Sequence, residues 1–378
     1  MKKEMEDELE DYNTLEVSSE DNTEMDNVEY PDMQIKIERD QYSIFELKRK
    51  YDKGKILMDP SFQRNFVWNT KQMSELIESV IMGIPLPLIY LAEDKKGDLV
   101  VVDGRQRLTT FFDFLSNKFR INHLKILKKL NGKNFKDLEN DFPEYAFAVE
   151  DYQLIIQVIK YPTPDRVRFD VFDRVNRGGT RLNKQEMRNA LYQGKSTELL
   201  AKITMGDAFQ NATGNCVPNK RMKGSYIVLR AIAFLLLFDE KLVDNNGNKV
   251  TYKSDMEDLL GKTMDYLNEL TDIEISNMEQ EFSNIMNNIY LDFGDNAFRM
   301  SGSSDKKKPI SMTLFETIVY LYHLLGDKWK QYCAVDAITT LKNDSSFVQL
   351  LKGSIDSKKG IKNRFERMID LYGEIVHD

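Results

Sequence analysis

The chain has 378 residues, 41% of them hydrophobic and 30% charged, with a formal net charge of -8. That length and balance predict an ordinary globular protein of two or three domains and exclude a fibrous or membrane-embedded chain. Two cysteines, Cys216 and Cys333, exclude a disulfide framework and a cysteine-based zinc site and fit a reducing cytoplasm. The charge is unevenly spread. Residues 1–33 hold thirteen Asp or Glu against two Lys, a net of -11, which leaves +3 on the rest. This stretch has no apolar period, so it is expected to be a disordered, solvated acidic tail. A cover for a basic surface or a nucleic-acid mimic is the alternative. It has no apolar core of the kind a signal peptide needs. The longest apolar run, Ile227–Phe238, is interrupted by Arg230 and too short to span a bilayer, so it reads as a buried helix. A cytoplasmic protein without a membrane segment is expected.

The first folded element is expected near Ile35. Ser43–Tyr51 reads as a short amphipathic helix with Ile44, Leu47 and Tyr51 inward, ended by Gly54. Asn69 and Gln72 have capping-box spacing, and Met73, Leu76, Ile77, Val80 and Ile81 follow the helical period to Gly83 and Pro85. Leu88–Leu91 and Leu99–Val102 read as strands joined by the polar turn Glu93–Asp98. A helix then runs to about Asn117. Residues 118–150, rich in Lys and Asn, give no clear pattern. Gln153–Ile159 is a predicted strand. Pro162 and Pro164 lead into a helix over 165–175, and Asn183 with Glu186 caps another to Tyr192. After Gly194 strand signals nearly vanish. Helical patterns recur at Tyr226–Phe238, Met256–Leu270, Ile275–Tyr290, Met312–Leu325, Trp329–Leu341 and Asn363–Ile375. The chain is therefore divided into a tail (1–33), an α+β domain (34–195) and a helical domain (196–378).

The most informative stretch is Val100-Val-Val-Asp103-Gly104-Arg105-Gln106-Arg107-Leu108. An apolar strand stops at an Asp-Gly turn, and an amphipathic helix with Leu108, Phe111, Phe112 and Leu115 on one face begins at once. Strand, glycine turn and helix N-terminus together suit an anion, because backbone N–H groups and the helix dipole favour negative charge there. Arg107 offers a planar fork suited to phosphate, Arg105 a second contact, and Asp103 a carboxylate for Mg²⁺ or a water. Gln106 is placed to orient a water. Each also has a purely structural reading: turn aspartate, surface arginines, first-turn glutamine. In the site reading both Asp103 and Arg107 face solvent. Gln63 and Arg64 offer a second wall to such a pocket, with Trp68 mostly structural beneath. Arg174, Asn176, Gly178 and Gly179 form another polar glycine turn, which can nest an anion or end a helix. Glu186 reads as a helix cap. The basic runs Lys220-Arg221-Met-Lys223, Lys306-Lys307-Lys308 and Lys358-Lys359 are either nucleic-acid backbone contacts or solvated loops. There is no P-loop and no H-E-x-x-H. The three histidines, His123, His323 and His377, form no metal-ligand cluster in sequence.

The Asp103–Arg107 stretch resembles the D-G-Q-Q-R motif of the GmrSD-type restriction family, in its N-terminal domain. Pro60-Ser-Phe-Gln63-Arg64-Asn-Phe-Val-Trp68, Ile84-Pro85-Leu-Pro87-Leu-Ile-Tyr-Leu and Phe172-Asp-Arg174-Val-Asn176-Arg-Gly178-Gly179-Thr-Arg-Leu182, with Glu186 and Arg188-Asn189, are similar to the family's pattern in the same order. Arg221-Met-Lys and Leu229-Arg230-Ala-Ile-Ala-Phe resemble its helical continuation. Arg105 departs from the usual Gln. The resemblance implies a ParB/sulfiredoxin-like mixed-sheet domain that binds, and in some relatives hydrolyses, a nucleotide, in defence against phage or foreign DNA. The leading expectation is a sensor or regulatory component that hydrolyses a nucleoside triphosphate with Mg²⁺ at Asp103, Arg107 and Arg64 holding phosphates. The separate HNH-type nuclease module found with many members has no counterpart here, so a nuclease is expected on another chain. A non-catalytic DNA- or protein-binding module using the same anion site is the alternative. A direct nuclease is the third, disfavoured by the lack of clustered carboxylates.

Overall fold

The computed structural model describes residues 15–16, 36–58, 68–94, 96–163, 167, 168, 171, 174, 183–217, 220–300, 307–332 and 334–377. They fall into two compact units. One covers Pro31–Leu191, and the other Tyr192–Asp378 together with the short strand Leu15–Glu16.

The first unit is built on a mixed five-stranded sheet. Its strands are β1 (Ile37–Ser43), β2 (Ile56–Leu57), β3 (Ile89–Glu93), β4 (Leu99–Asp103) and β5 (Gln153–Ile159), in spatial order β1-β5-β3-β4-β2. β5 lies antiparallel to β1, with Ile37 opposite Ile159, and parallel to β3, with Ile89 opposite Ile156. β4 returns antiparallel beside β3, and β2 adds in parallel at the far edge. The inner strands are apolar because both their faces are covered. β1 (Ile-Glu-Arg-Asp-Gln-Tyr-Ser) alternates exposed and half-buried residues, as an edge strand does. Its polarity, and the two-residue length of β2, hid both from the sequence reading.

The helices cover this sheet. α1 (Ile44–Asp52) starts from a Ser43–Glu46 capping box and buries Ile44 and Leu47 completely, while Tyr51 stacks on Phe112 at 4.8 Å. α2 (Thr70–Ile81) starts from the expected Asn69–Gln72 box. α3 (Arg105–Leu115) follows β4 directly. The stretch 118–150 contains two short helices, α4 (Phe135–Asp141) and α5 (Pro143–Glu150). Its apolar side chains, Ile121, Leu130, Leu138 and Val149 among them, are buried in the core of the unit, and buried polar groups of α2 pin its first part. Glu78 Oε1 accepts the N–H groups of Ile126 (3.0 Å) and Leu127 (2.8 Å), and Ser74 Oγ accepts that of Asn122 (2.9 Å). The expected helix over 165–175 lies largely outside the described residues. Val167, Arg168, Val171 and Arg174 within it are helical. α6 (Lys184–Leu191) closes the unit from the expected Asn183–Glu186 box.

The second unit is helical: α7 (Lys195–Met205), α8 (Asp207–Thr213), α9 (Lys223–Phe238), α10 (Met256–Glu269), α11 (Asp272–Phe293), α12 (Met312–Leu325), α13 (Ala334–Asn343), α14 (Ser345–Leu350) and α15 (Lys358–His377). α9 and α12 are buried nearly all round and form its core with α15. One expectation is corrected. Trp329–Leu341 is not a single helix: a 3-10 turn, Gly326–Gln331, carries Trp329, and Tyr332 adopts an extended backbone before α13 begins. Nor is the unit purely helical. Ile310–Ser311 forms a short strand parallel to Leu15–Glu16. Among the described residues no helix is long and apolar enough to cross a membrane.

A half-buried histidine ties three of these helices. His323 on α12 places Nδ1 2.7 Å from Glu281 Oε1 on α11 and Nε2 3.0 Å from Asp239 Oδ2 at the end of α9. The hydrogen bond to Glu281, aided by Asp239 and opposed by burial, raises the imidazole pKa above its ordinary value. A raised folded-state pKa stabilises fully below the unfolded value of about 6.5, and the gain is lost as pH rises through the folded value. Between pH 6 and pH 9 the urea midpoint should therefore fall, and His323→Gln should flatten that fall. An equal fall in both proteins would show that His323 is not the group responsible.

Candidate functional site

The sequence Val-Val-Val-Asp-Gly-Arg builds a sharp corner. Val100, Val101 and Val102 of β4 are buried, which fixes the strand's exit. Gly104 then turns the chain at φ 93°, ψ 9°. A Cβ at this position would lie 2.7 Å from Ile89 Cγ1 and 3.2 Å from Arg107 Nη2, so glycine is demanded by both backbone and space. α3 starts immediately, anchored by Leu108, Phe111 and Phe112 in the core. Gly104 occupies its N-cap and supplies no side-chain cap. The first-turn N–H groups and the positive end of the helix dipole are thus presented at the end of a rigid strand, the arrangement that suits an anion.

Asp103, Gly104, Arg105, Gln106 and Arg107 are brought together, and Arg107 takes a position the sequence did not suggest. It donates through Nη1 to the carbonyl of Pro87 and through Nη2 to that of Leu88 at 3.0 Å. Nη2 also meets Asp103 Oδ2 at 3.2 Å. Its side chain is 11% exposed, whereas that of Asp103 is 37% exposed. Burial lowers the Arg107 pKa, and Asp103 opposes that shift. The expectation that both side chains face solvent is therefore corrected for Arg107. The approach to β3, Ile84-Pro-Leu-Pro-Leu88, leaves its carbonyls without ladder partners at this point, and the guanidinium supplies them. Three of its five N–H donors are used in this way, so Nε and one Nη1 hydrogen remain. Arg105 and Gln106 are half-buried beside it.

Gln63, Arg64 and Asn176, with Gly178 and Gly179, lie outside the described residues. The chain on either side of the first pair is placed. Thr109 Oγ1 of α3 approaches Met58 Sδ at 3.7 Å, and both Met58 and Trp68 pack against the sheet core. Arg174 is helical and exposed. Glu186 is a cap as expected, accepting the N–H of Asn183 at 2.7 Å. The sequence reading named Arg188-Asn189 only within the resemblance and gave the neighbours of Glu186 no role. α6 packs on β4, the strand that ends in Asp103, and buries Gln185, Arg188 and Asn189. Arg188 donates to Gln185 Oε1, while Gln185 Nε2 and Asn189 Oδ1 are buried without a hydrogen-bond partner. Polar residues at core positions right after a capping box were the available signal. For a metal, Asp103 offers one carboxylate oxygen beyond that facing Arg107. Among the described residues no three His, Cys, Asp or Glu side chains gather to hold an ion. Such a site fits Mg²⁺ only when phosphate oxygens and water complete the shell.

Residues 44–193, less than half of the chain, match the family described as GmrSD restriction endonuclease, N-terminal domain. An uncharacterized protein of Methanocaldococcus jannaschii is 29% identical over 102 residues, a match that takes in 21% of this chain and 17% of that protein. The chain thus spans about a sixth of that relative's length. No solved structure matches.

The corner's geometry sets stabilities. Gly104→Ala should lower the unfolding free energy by about 2–4 kcal/mol, from left-handed strain plus overpacking on Ile89. Arg107→Ala should cost about 2–4 kcal/mol, because two carbonyls and a carboxylate lose their donor. Asp103→Asn should cost under about 1 kcal/mol, as a half-exposed ion pair does. Urea titration of the three variants checks this ranking. Gly104→Ala as stable as the parent would contradict the close approach.

Proposed function

We propose that this chain, whose residues 44–193 belong to the GmrSD restriction endonuclease N-terminal domain family, is a nucleotide-binding component of a defence system against phage or foreign DNA. Its fold in this reading is the ParB/sulfiredoxin-like one, and its reaction is hydrolysis of a nucleoside triphosphate with Mg²⁺. The observation that carries the reading is the N-terminus of α3, left without a side-chain cap by a glycine that tolerates no other residue. Backbone N–H groups of the first turn, Arg105 and the two remaining donors of Arg107 hold phosphate. Gln63, Arg64, Arg174 and Asn176 are carried over from the resemblance as further contacts. Asp103 holds Mg²⁺, which when bound supplies neutralisation of phosphate charge. Gln106 orients the attacking water. Arg107 does double duty: it positions the carbonyls that lead into β3 and presents its free edge to the anion.

A second reading keeps the anion site without turnover, as a contact for a DNA or protein phosphate. The single available carboxylate favours it. Direct DNA cleavage ranks third for the same reason. Phosphate release from four nucleoside triphosphates, with and without DNA, separates them. We expect Mg²⁺-dependent turnover of at least one. Arg105→Ala should weaken nucleotide binding by about 10-fold or more, since a charge-assisted hydrogen bond contributes roughly 1.5–3 kcal/mol. Asp103→Asn should spare binding and remove turnover. Binding without turnover in the parent would select the second reading. Arg105→Ala and Asp103→Asn proteins that both turn over nucleotide like the parent would sink the site assignment.

A further inference from the structure

We infer that two copies of this chain pair through α11, laid antiparallel across a two-fold axis that passes beside Phe282. α11 is the longest helix of the second unit among the described residues, and its two faces differ. Ile275, Phe282, Ile285, Met286 and Ile289 are buried against the unit, where α7, α8 and α12 pack on it. The outward face carries Ile273, Asn277, Gln280, Asn284, Asn287 and Leu291, all exposed. Their spacings are four, three, four, three and four residues. That is the alternation of a coiled-coil seam, and it keeps one stripe facing a partner helix over about 27 Å.

The stripe is complementary to itself. Ile273 and Leu291 stand nine residues on either side of Phe282, Asn277 and Asn287 five, and Gln280 and Asn284 two. Turned end over end, a second α11 therefore sets apolar against apolar and amide against amide. Ile273 meets the partner's Leu291, Asn277 the partner's Asn287, and Gln280 the partner's Asn284. An isologous contact requires this of a single surface patch. Each amide carries both donor and acceptor, so every pair can hydrogen-bond across the axis. Within one copy Gln280 Nε2 already donates to Asn284 Oδ1 at 2.9 Å, which orders the middle of the stripe. Antiparallel packing also opposes the two helix dipoles, which favours this orientation over a parallel one.

Three further features argue against a merely solvated face. In a chain 30% charged, none of the six stripe residues carries a charge, although the water-facing side of a helix ordinarily does. Ile273 is 74% and Leu291 67% exposed, so both ends of the stripe offer large side chains to water. A third apolar side chain comes level with its middle. Lys195 Nζ lies 2.9 Å from Asp272 Oδ1 and Lys202 Nζ 3.4 Å from Glu279 Oε2, so α7 runs alongside α11 in the same direction. Met205, 58% exposed, ends α7 three residues beyond Lys202. The acid nearest the axis is Glu281, and its carboxylate is already engaged by His323 on α12 at 2.7 Å. Polar pairs within such a seam weaken association but fix its register.

The test is sedimentation velocity of the full chain over a wide concentration range. The parent should pass reversibly from monomer to dimer. The double variant Ile273→Lys/Leu291→Lys sets like charges against each other at both ends and should raise the dissociation constant by about 10-fold or more. Ile273→Glu/Leu291→Lys should pair more tightly than that variant, because unlike charges then meet, and they do so only in an antiparallel pair. Ile369→Lys, at an exposed apolar residue of α15, should leave the constant unchanged. All the substituted side chains are exposed, and urea midpoints matching the parent's show that the fold is kept. A parent that stays monomeric at every concentration would overturn the proposal. So would a Lys/Lys variant that dimerises like the parent, an equal loss in Ile369→Lys, or a Glu/Lys variant no tighter than the Lys/Lys one.

Discussion

The candidate site depends on how closely β3 and β4 approach at the corner. Ile89 stands so near Gly104 that no side chain fits there, and the backbone must turn through a left-handed conformation. Because Gly104 is also the N-cap of α3, one steric constraint ends the strand, orients the helix and leaves the helix start without a side-chain cap. The apolar anchors on either side, Val100–Val102 and Leu108, Phe111 and Phe112, keep that start from relaxing.

Arg107 shows how such a corner is held. An arginine next to an anion site invites the reading of a ligand waiting for phosphate. Here most of its donors are committed to two carbonyls and a carboxylate of its own chain. A guanidinium can serve as brace and ligand at once because it has five donors in a fixed plane. The same device recurs in the helical unit, where Arg230 braces a loop against α9. In both units a mostly or fully buried arginine fixes chain segments distant in sequence.

Much of the first unit was legible because its signals are local. The capping pairs Asn69–Gln72 and Asn183–Glu186, the helical face Ile44–Leu47 and the strand Gln153–Ile159 all form as their patterns predict. What escaped depends on partners distant in sequence. β1 is polar because it lies at an edge. Asn122, Ile126 and Leu127, in the stretch without a clear pattern, are pinned by Ser74 and Glu78, some fifty residues earlier. Arg107 is buried by carbonyls twenty and nineteen residues upstream, which no spacing rule reveals. The buried polar side of α6 was visible as Gln-Glu-Met-Arg-Asn, but only its packing on β4 gives it meaning.

The central claim is that an anion sits on the first turn of α3, and amide exchange reads that directly. Hydrogen exchange of the full chain, with and without a non-hydrolysable nucleoside triphosphate and Mg²⁺, should show new protection at the N–H groups of Arg105, Gln106 and Arg107. Gly104→Ala should abolish it. Nucleotide binding that protects amides elsewhere and leaves these three unchanged would contradict the account.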